Sequence, residues 1–530
     1  MNFFRDTFCR YTWLIIAVIS ATLLMLAPSN RSLWIDEGWS ARIIMAPGNL
    51  AQLWQMILHD SAGMPAQLGH SFMGFLLGGI LGYSEHSLRV ANLVWAFAGV
   101  AAFTFAGKKL GISWLPLAFA ANPFVWFYVD EIRPYAMQLA AGSWMMVSFL
   151  YFISVNISAS SRTLWTNVFW FSSFVAYAAS ALGGFSIAAA CCAALAALFF
   201  AKQFPLRGVW LSSVIWVILL STLTAFYSYF IFMKGAGASK QWSPSLMNVA
   251  FAFYEISGIM GLGPSRDAIR AAAKAGGLES LTQLFIPYIG GLAAYTAVLG
   301  IAAYGIMKKS ACASSTSKCA LWLSIVVVLG LMLMLIGASL ANWPFWGRHV
   351  APLFPFASVA FALGFSALGT VGRIGAGIWI TLMLLGSLHG RFIQTGQSDD
   401  YRSASQIAAE HVSAGQVVWW SADTLTPNYY KLFPASIFDQ QKMKLSLPDG
   451  PSTWPRMKTN TIPLCYSVLG LSQEKLAQLP TPHLVITSKP DIWDPSGEIR
   501  MWLINANFVV TDNYPSFQVW RKTIEIPMEQ

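Results

Sequence analysis

The chain has 530 residues, of which 56% are hydrophobic and only 11% charged. That balance excludes an ordinary soluble protein, and apolar runs of roughly 20 residues make it a polytopic α-helical membrane protein. The net charge of +10 is therefore a matter of how cations are distributed among loops, not a sign of nucleic-acid binding.

The first apolar run, residues 11–28, follows Arg5 and Arg10 and has signal-peptide length; Ala27-Pro28-Ser29 is a poor cleavage site, so the run reads as a retained anchor. Directly behind it comes Ser32-Leu33-Trp34-Ile35-Asp36-Glu37-Gly38-Trp39-Ser40. Adjacent carboxylates at a membrane exit admit two readings, a helix N-cap or a functional site. Residues 64–83 are apolar enough to span, but His70 and Gly69, Gly74, Gly78 and Gly79 favour a helical hairpin at the outer surface. Glu85 and Arg89 stand one helical turn apart and can pair.

The next spans are expected at 87–107 and 112–128, followed by Asp130-Glu131-Ile132-Arg133-Pro134-Tyr135. Pro134 suits a first helical turn, which puts Arg133 at a helix N-terminus, where anions are favoured. A local ion pair steadying the turn is the plainer reading. Further spans are expected at 135–155, 164–182, 184–200, 209–232, 286–306, 320–341, 350–369 and 374–391, eleven in all. Between 233 and 285 lies a second large outer loop, made basic by Lys234, Lys240, Arg266, Arg270 and Lys274. Trp346-Gly347-Arg348-His349 forms a short outer turn, in which Arg348 either snorkels to headgroups or binds a phosphate bidentately.

Residues 1–392 thus form the transmembrane domain, and 393–530 a small extracytoplasmic α/β domain. Strands are expected at 417–420, 483–487, 508–511 and 517–520, and helices at 404–414 and 472–478. The six cysteines show neither a metal spacing nor a disulfide framework.

With the N-terminus inside, eleven spans place Arg5, Arg10, Lys108, Lys109, Arg162, Lys202, Arg207, Lys308, Lys309, Lys318 and Arg373 in the cytoplasm, as the positive-inside rule requires. Nearly every acid before residue 393 then falls outside, which puts the chemistry on the outer face.

Together, Asp36-Glu37, Glu131-Ile132-Arg133-Pro134-Tyr135-Ala136 and Arg348-His349 with Pro352 and Pro355 resemble bacterial family 39-type glycosyltransferases. Those enzymes have the GT-C membrane fold and are related to protein O-mannosyltransferases and the aminoarabinose transferase of lipid A. Glu85 with Leu88-Arg89 and Asp399-Asp400-Tyr401-Arg402 also fit the pattern. Two stretches depart from it: Gly63-Met64-Pro65-Ala66 stands where many relatives carry His-Pro-Pro-Leu, and Tyr177-Ala178-Ala179-Ser180 where a His-bearing segment is common.

The resemblance implies inverting transfer of a sugar from a polyprenyl-phosphate donor to a lipid, glycan or protein acceptor, at the outer face of a bacterial inner membrane. It implies Asp36 as general base with Glu37 in support, and Arg133 and Arg348 on the phosphate. Asp130, Glu131, Tyr135 and His349 complete the expected substrate-binding set. No cofactor is expected and no metal site, although a divalent cation is compatible with such enzymes. A polysaccharide polymerase or ligase using diphosphate-linked chains would want the same arginines. A lipid or solute transporter would place its ionisable groups within the spans and show repeated halves.

Overall fold

The computed structural model describes residues 2–59, 64–153, 158–200, 207–233, 244–310, 315–341, 345–393, 399–435 and 464–523. The chain is a polytopic α-helical membrane protein that also carries a small α/β sheet domain. Backbone contacts divide it into two compact units. The membrane unit comprises Met1–Ser29, Asp60–Gly74 and Arg89–Gln394; the second comprises Asn30–His59, Phe75–Leu88 and Thr395–Gln530. Residues 30–59 and 75–88, expected with the membrane helices, thus group with the C-terminal segment.

Among the described residues, seven helical stretches are long and apolar enough to cross a bilayer: Glu85–Leu110, Gly183–Phe200, Ser213–Ile231, Glu279–Lys308, Lys318–Ala341, Gly347–Ser366 and Gly369–Phe392. Other expected spans are also helical but shorter or more polar, at Tyr11–Leu24, Tyr135–Phe152 and Ala159–Ala179. In the membrane unit, Phe103, Phe119, Phe124 and Phe354 pack together with ring centroids 4.9 to 6.4 Å apart, Phe354 stacked on Phe103 and Phe124 and tilted against Phe119. Several hydroxyls inside helices return to their own backbone, as Ser143 does to the Leu139 carbonyl at 2.7 Å, which meets those polar groups within the helix itself.

The span expected at 112–128 is instead two short helices, Leu115–Ala120 and Pro123–Val129. Pro123 lacks an N–H and drives the residue before it out of the α region; Asn122 is extended and caps the second helix through Phe124 N at 2.8 Å. Carbonyls released by the break find side-chain donors: Ser387 Oγ on Ala121 at 2.8 Å and Trp126 Nε1 on Ala120 at 2.5 Å. The hairpin expected over 64–83 is a short 3₁₀ turn, Met64–Gln67, and one unbroken helix, Leu68–Leu81. At 1.5 Å per residue that helix is about 21 Å long, short of a bilayer's ~30 Å core.

In the second unit, strands β1 (Val418–Ser421), β2 (Phe433–Ala435), β3 (Leu464–Ser467), β4 (Leu484–Ser488), β5 (Phe508–Tyr514) and β6 (Phe517–Lys522) form one sheet in the order β2-β3-β1-β4-β6-β5. The first four are parallel and the β6-β5 hairpin runs antiparallel. Alternation along β1 sends Trp420 into a layer with Tyr401, Ile486 and Val519, and Trp419 into one with Val485 and Leu503. Sheet faces buried on both sides explain why these strands read as unbroken apolar runs.

Candidate functional site

Asp36 and Glu37 occupy the first turn of the helix Ile35–Met45 in the second unit. Trp34 before it is extended, and the fully buried Glu37 turns back so that its Oε2 accepts the Trp34 N–H at 3.3 Å. This is the returning half of a capping box, and both acids complement the helix dipole. Glu37 is thereby committed to the helix start, while Asp36 is half-buried and its carbonyl accepts Ser40 Oγ at 3.1 Å.

The neighbours in that unit explain the rest of the motif. A Cβ on Gly38 would lie 2.4 Å from Thr426 Oγ1, so only glycine lets the helix approach so closely. Thr426 gives its N–H and hydroxyl to Asp423 Oδ2 at 2.8 and 2.5 Å, and the Trp39 indole reaches Asp423 Oδ1 at 3.4 Å. Upstream, the Tyr430 hydroxyl donates to Glu85 and accepts the Leu33 N–H at 2.7 Å. Arg402 pairs with the same Glu85 carboxylate, donates to the Asn30 carbonyl at 2.8 Å, and gives its N–H to Ser32 Oγ at 3.0 Å. Burial first, and the Glu85 carboxylate second, hold the Tyr430 phenol well above its ordinary range. Asp400 caps the helix Tyr401–Ser413 through Ser403, and Asp399 pairs with Lys489 at 2.7 Å. Arg402, Asp423, Thr426 and Tyr430 lie about 366 to 394 residues from Asp36 in sequence, and of the four only Arg402, in Asp399-Asp400-Tyr401-Arg402, stands in a motif the sequence offered.

In the membrane unit the turn between Pro123–Val129 and Tyr135–Phe152 gathers four expected residues, all buried: Asp130, Glu131, Arg133 and Tyr135. Asp130 lies 3.7 Å from Arg89 Nε, which is fully buried, and accepts the Ser29 N–H at 2.5 Å. Asn92 Nδ2 fastens the turn to the carbonyls of Val129 at 3.1 Å and Glu131 at 2.6 Å. The Arg133 guanidinium stands beside Tyr135, 5.9 Å from its ring centroid, just ahead of the helix that Tyr135 begins. Such an arrangement draws an anion from both the guanidinium and the helix terminus. Close by, burial and then the Arg133 charge push the His70 imidazole down to about 3, against a hydrogen bond with the Ile132 backbone.

Arg348 and His349 lie in the same unit, in the 3₁₀ turn Gly347–Leu353. Glu255 fastens that turn by accepting the Gly347 N–H at 2.6 Å, and Asn248 Nδ2 holds the Phe345 carbonyl at 3.0 Å. His349 Nδ1 faces the Trp346 N–H at 3.3 Å and Nε2 faces Arg348 Nε at 3.4 Å. A neutral imidazole accepts at only one nitrogen, so these two contacts compete.

Lys234 and Lys240 of the expected basic loop fall outside the described residues, as do the side chains of Arg266, Arg270 and Lys274. Asp60 also lies outside them, and His59 Nδ1 lies 2.8 Å from the Gln55 carbonyl. No three His, Cys, Asp or Glu side chains among the described residues gather as a metal site.

No protein-family profile matches the chain, and no curated sequence matches it. Among solved structures it is similar to ArnT from Cupriavidus metallidurans in the apo state, at 15% identity and a TM-score of 0.47, over 97% of this chain and 98% of that one. The same protein bound to undecaprenyl phosphate gives 13% and 0.43, over 98% and 99%. The archaeal oligosaccharyltransferase AglB from Archaeoglobus fulgidus, in complex with an inhibitory peptide and a dolichol-phosphate, gives 12% and 0.43, over 98% and 75%.

Proposed function

We propose that the chain is a GT-C-type glycosyltransferase of the bacterial inner membrane, which moves one sugar from a polyprenyl phosphate to an envelope acceptor on the outer face. The observation that carries this reading is the buried charged turn Asp130–Arg133 between apolar helices, an expensive arrangement in a membrane protein unless a ligand uses it. Asp130 faces Arg89 and accepts the Ser29 N–H, and the cation of the turn, Arg133, is assigned to the phosphate.

In this mechanism the acceptor oxygen attacks C1 of the sugar as the C1–O bond to phosphate breaks, inverting the anomeric centre. Asp36 takes the acceptor's hydroxyl proton, and one base suffices because no glycosyl-enzyme forms. Negative charge grows on the departing polyprenyl phosphate, where Arg133 and Arg348 stabilise it. Glu37 acts through Asp36, by fixing the start of the helix that carries it.

The test is reconstitution in lipid nanodiscs with polyprenyl-phosphate sugars, together with mass spectrometry of envelope glycolipids from cells with and without the protein. Loss of a single sugar substituent is expected. A change in glycan chain length instead would mark a polymerase or ligase, and unchanged glycolipids would defeat the proposal.

A further inference from the structure

Two buried polar side chains of the membrane unit, His70 and Gln138, have no part in that mechanism. Gly69, beside His70 in the chain, and Gln138 meet the same stretch of helix end, Ala176–Ala178. A Cβ on Gly69 would lie 2.9 Å from the Ala178 carbonyl, and the Ala181 N–H donates to the Ala66 carbonyl at 2.9 Å. That close approach fixes the neighbouring His70, while Gln138 Nε2 donates to the Ala176 carbonyl at 3.5 Å.

Each side chain is thereby oriented, and each leaves one atom over. His70 hydrogen-bonds the Ile132 backbone, yet its Nε2 is buried with no hydrogen-bond partner. Gln138 has given its amide nitrogen to Ala176, and its Oε1 is likewise buried with no partner. An imidazole whose one N–H is committed offers a lone pair at the other nitrogen, and a carboxamide oxygen only accepts. Two such acceptors destabilise the fold when left unmet. Arg133 acts electrostatically on His70, so a complementary ligand carries O–H donors and an anionic group together.

We infer that His70 Nε2 and Gln138 Oε1 accept hydrogen bonds from hydroxyls of the donor sugar, forming a subsite next to the phosphate at Arg133. This rests on the glycosyl-transfer reading above and assigns to that site the groups that read the sugar.

The experiment uses the full chain in nanodiscs and compares its affinity for bare undecaprenyl phosphate with that for undecaprenyl phosphates carrying glucose, mannose, galactose or arabinose. His70→Asn keeps a donor for the Ile132 backbone and removes the acceptor at Nε2; Gln138→Leu removes the other acceptor at similar volume. For at least one sugar the wild type should bind the glycosylated lipid more tightly than the bare one. Each variant should lower that ratio about 3- to 10-fold, the range of one hydrogen bond, with bare-lipid affinity unchanged. A ratio unmoved in both variants overturns the subsite, as does a wild type that binds bare and glycosylated lipid alike. A wild type that binds no undecaprenyl phosphate overturns the functional reading itself. Should His70→Asn fail to fold, Gln138→Leu alone decides, since either acceptor moves the ratio.

Discussion

Tyr430 donates its hydroxyl hydrogen to Glu85 while its oxygen accepts the Leu33 N–H at 2.7 Å. A single phenol thus fastens the chain just ahead of Asp36 to a carboxylate that Arg402 also holds. Tyr430→Phe leaves both the Glu85 carboxylate and the Leu33 amide one partner short, at about 1–3 kcal/mol per unmet group. The variant should melt earlier, followed by intrinsic fluorescence of the detergent-solubilised protein. Adding Arg402→Gln should cost less than the sum of the two singles, because both act on Glu85. A fully additive double would show that the two contacts are independent.

Gly38→Ala tests the approach of the helix Ile35–Met45 to Thr426. The new methyl meets the Thr426 side chain at 2.4 to 2.8 Å, and overpacking of this kind costs roughly 1–3 kcal/mol. Thr426→Ala in the same chain should recover part of the lost melting temperature, having removed the two nearest atoms. No recovery would place the strain elsewhere.

The two adjacent acids should separate by variant. Asp36→Asn should retain the wild-type melting temperature and lose roughly 100-fold or more in transfer rate, the scale of a general base. Glu37→Gln keeps an oxygen for the Trp34 N–H and should be mild, whereas Glu37→Ala removes the cap at about 0.5–2 kcal/mol. Wild-type transfer by correctly inserted Asp36→Asn would remove Asp36 from the mechanism.

His70 carries a pH prediction. Its imidazole sits at about 3 in the folded chain against the ordinary 6.5 of an unperturbed histidine, so between those values the unfolded chain binds the extra proton. Stability contributed by the neutral ring is therefore full above pH 6.5 and falls as pH drops towards 3, by up to about 1.4 kcal/mol per unit. His70→Asn should flatten the melting profile between pH 6.5 and 4. A variant as acid-sensitive as the wild type would assign that slope to other groups.

Much of the architecture was legible because its signals are local. Apolar runs of helical length announced the membrane helices, and Val417-Val418-Trp419-Trp420 and His483-Leu484-Val485-Ile486-Thr487 announced the central strands β1 and β4. Phe433–Ala435 and Leu464–Ser467 escaped notice because strands of three and four residues carry too little pattern. The break at Asn122-Pro123 lies inside a run whose apolar residues read as one span, 112–128.

The site divides along the same line. By itself the sequence determined which residue types stand at helix ends: an acid pair behind the first span, Glu131-Ile132-Arg133-Pro134 before a helix, Arg348 in a short turn. Only the tertiary structure decided what each of them holds. It committed Asp130 to Arg89 and Ser29, and Glu85 to Tyr430 and Arg402. It also left His70 Nε2 and Gln138 Oε1 as buried acceptors. The physical reason is range. Capping, periodicity and hydropathy act over a few residues, whereas the burial that makes a polar group demand a partner is set by segments tens to hundreds of positions apart.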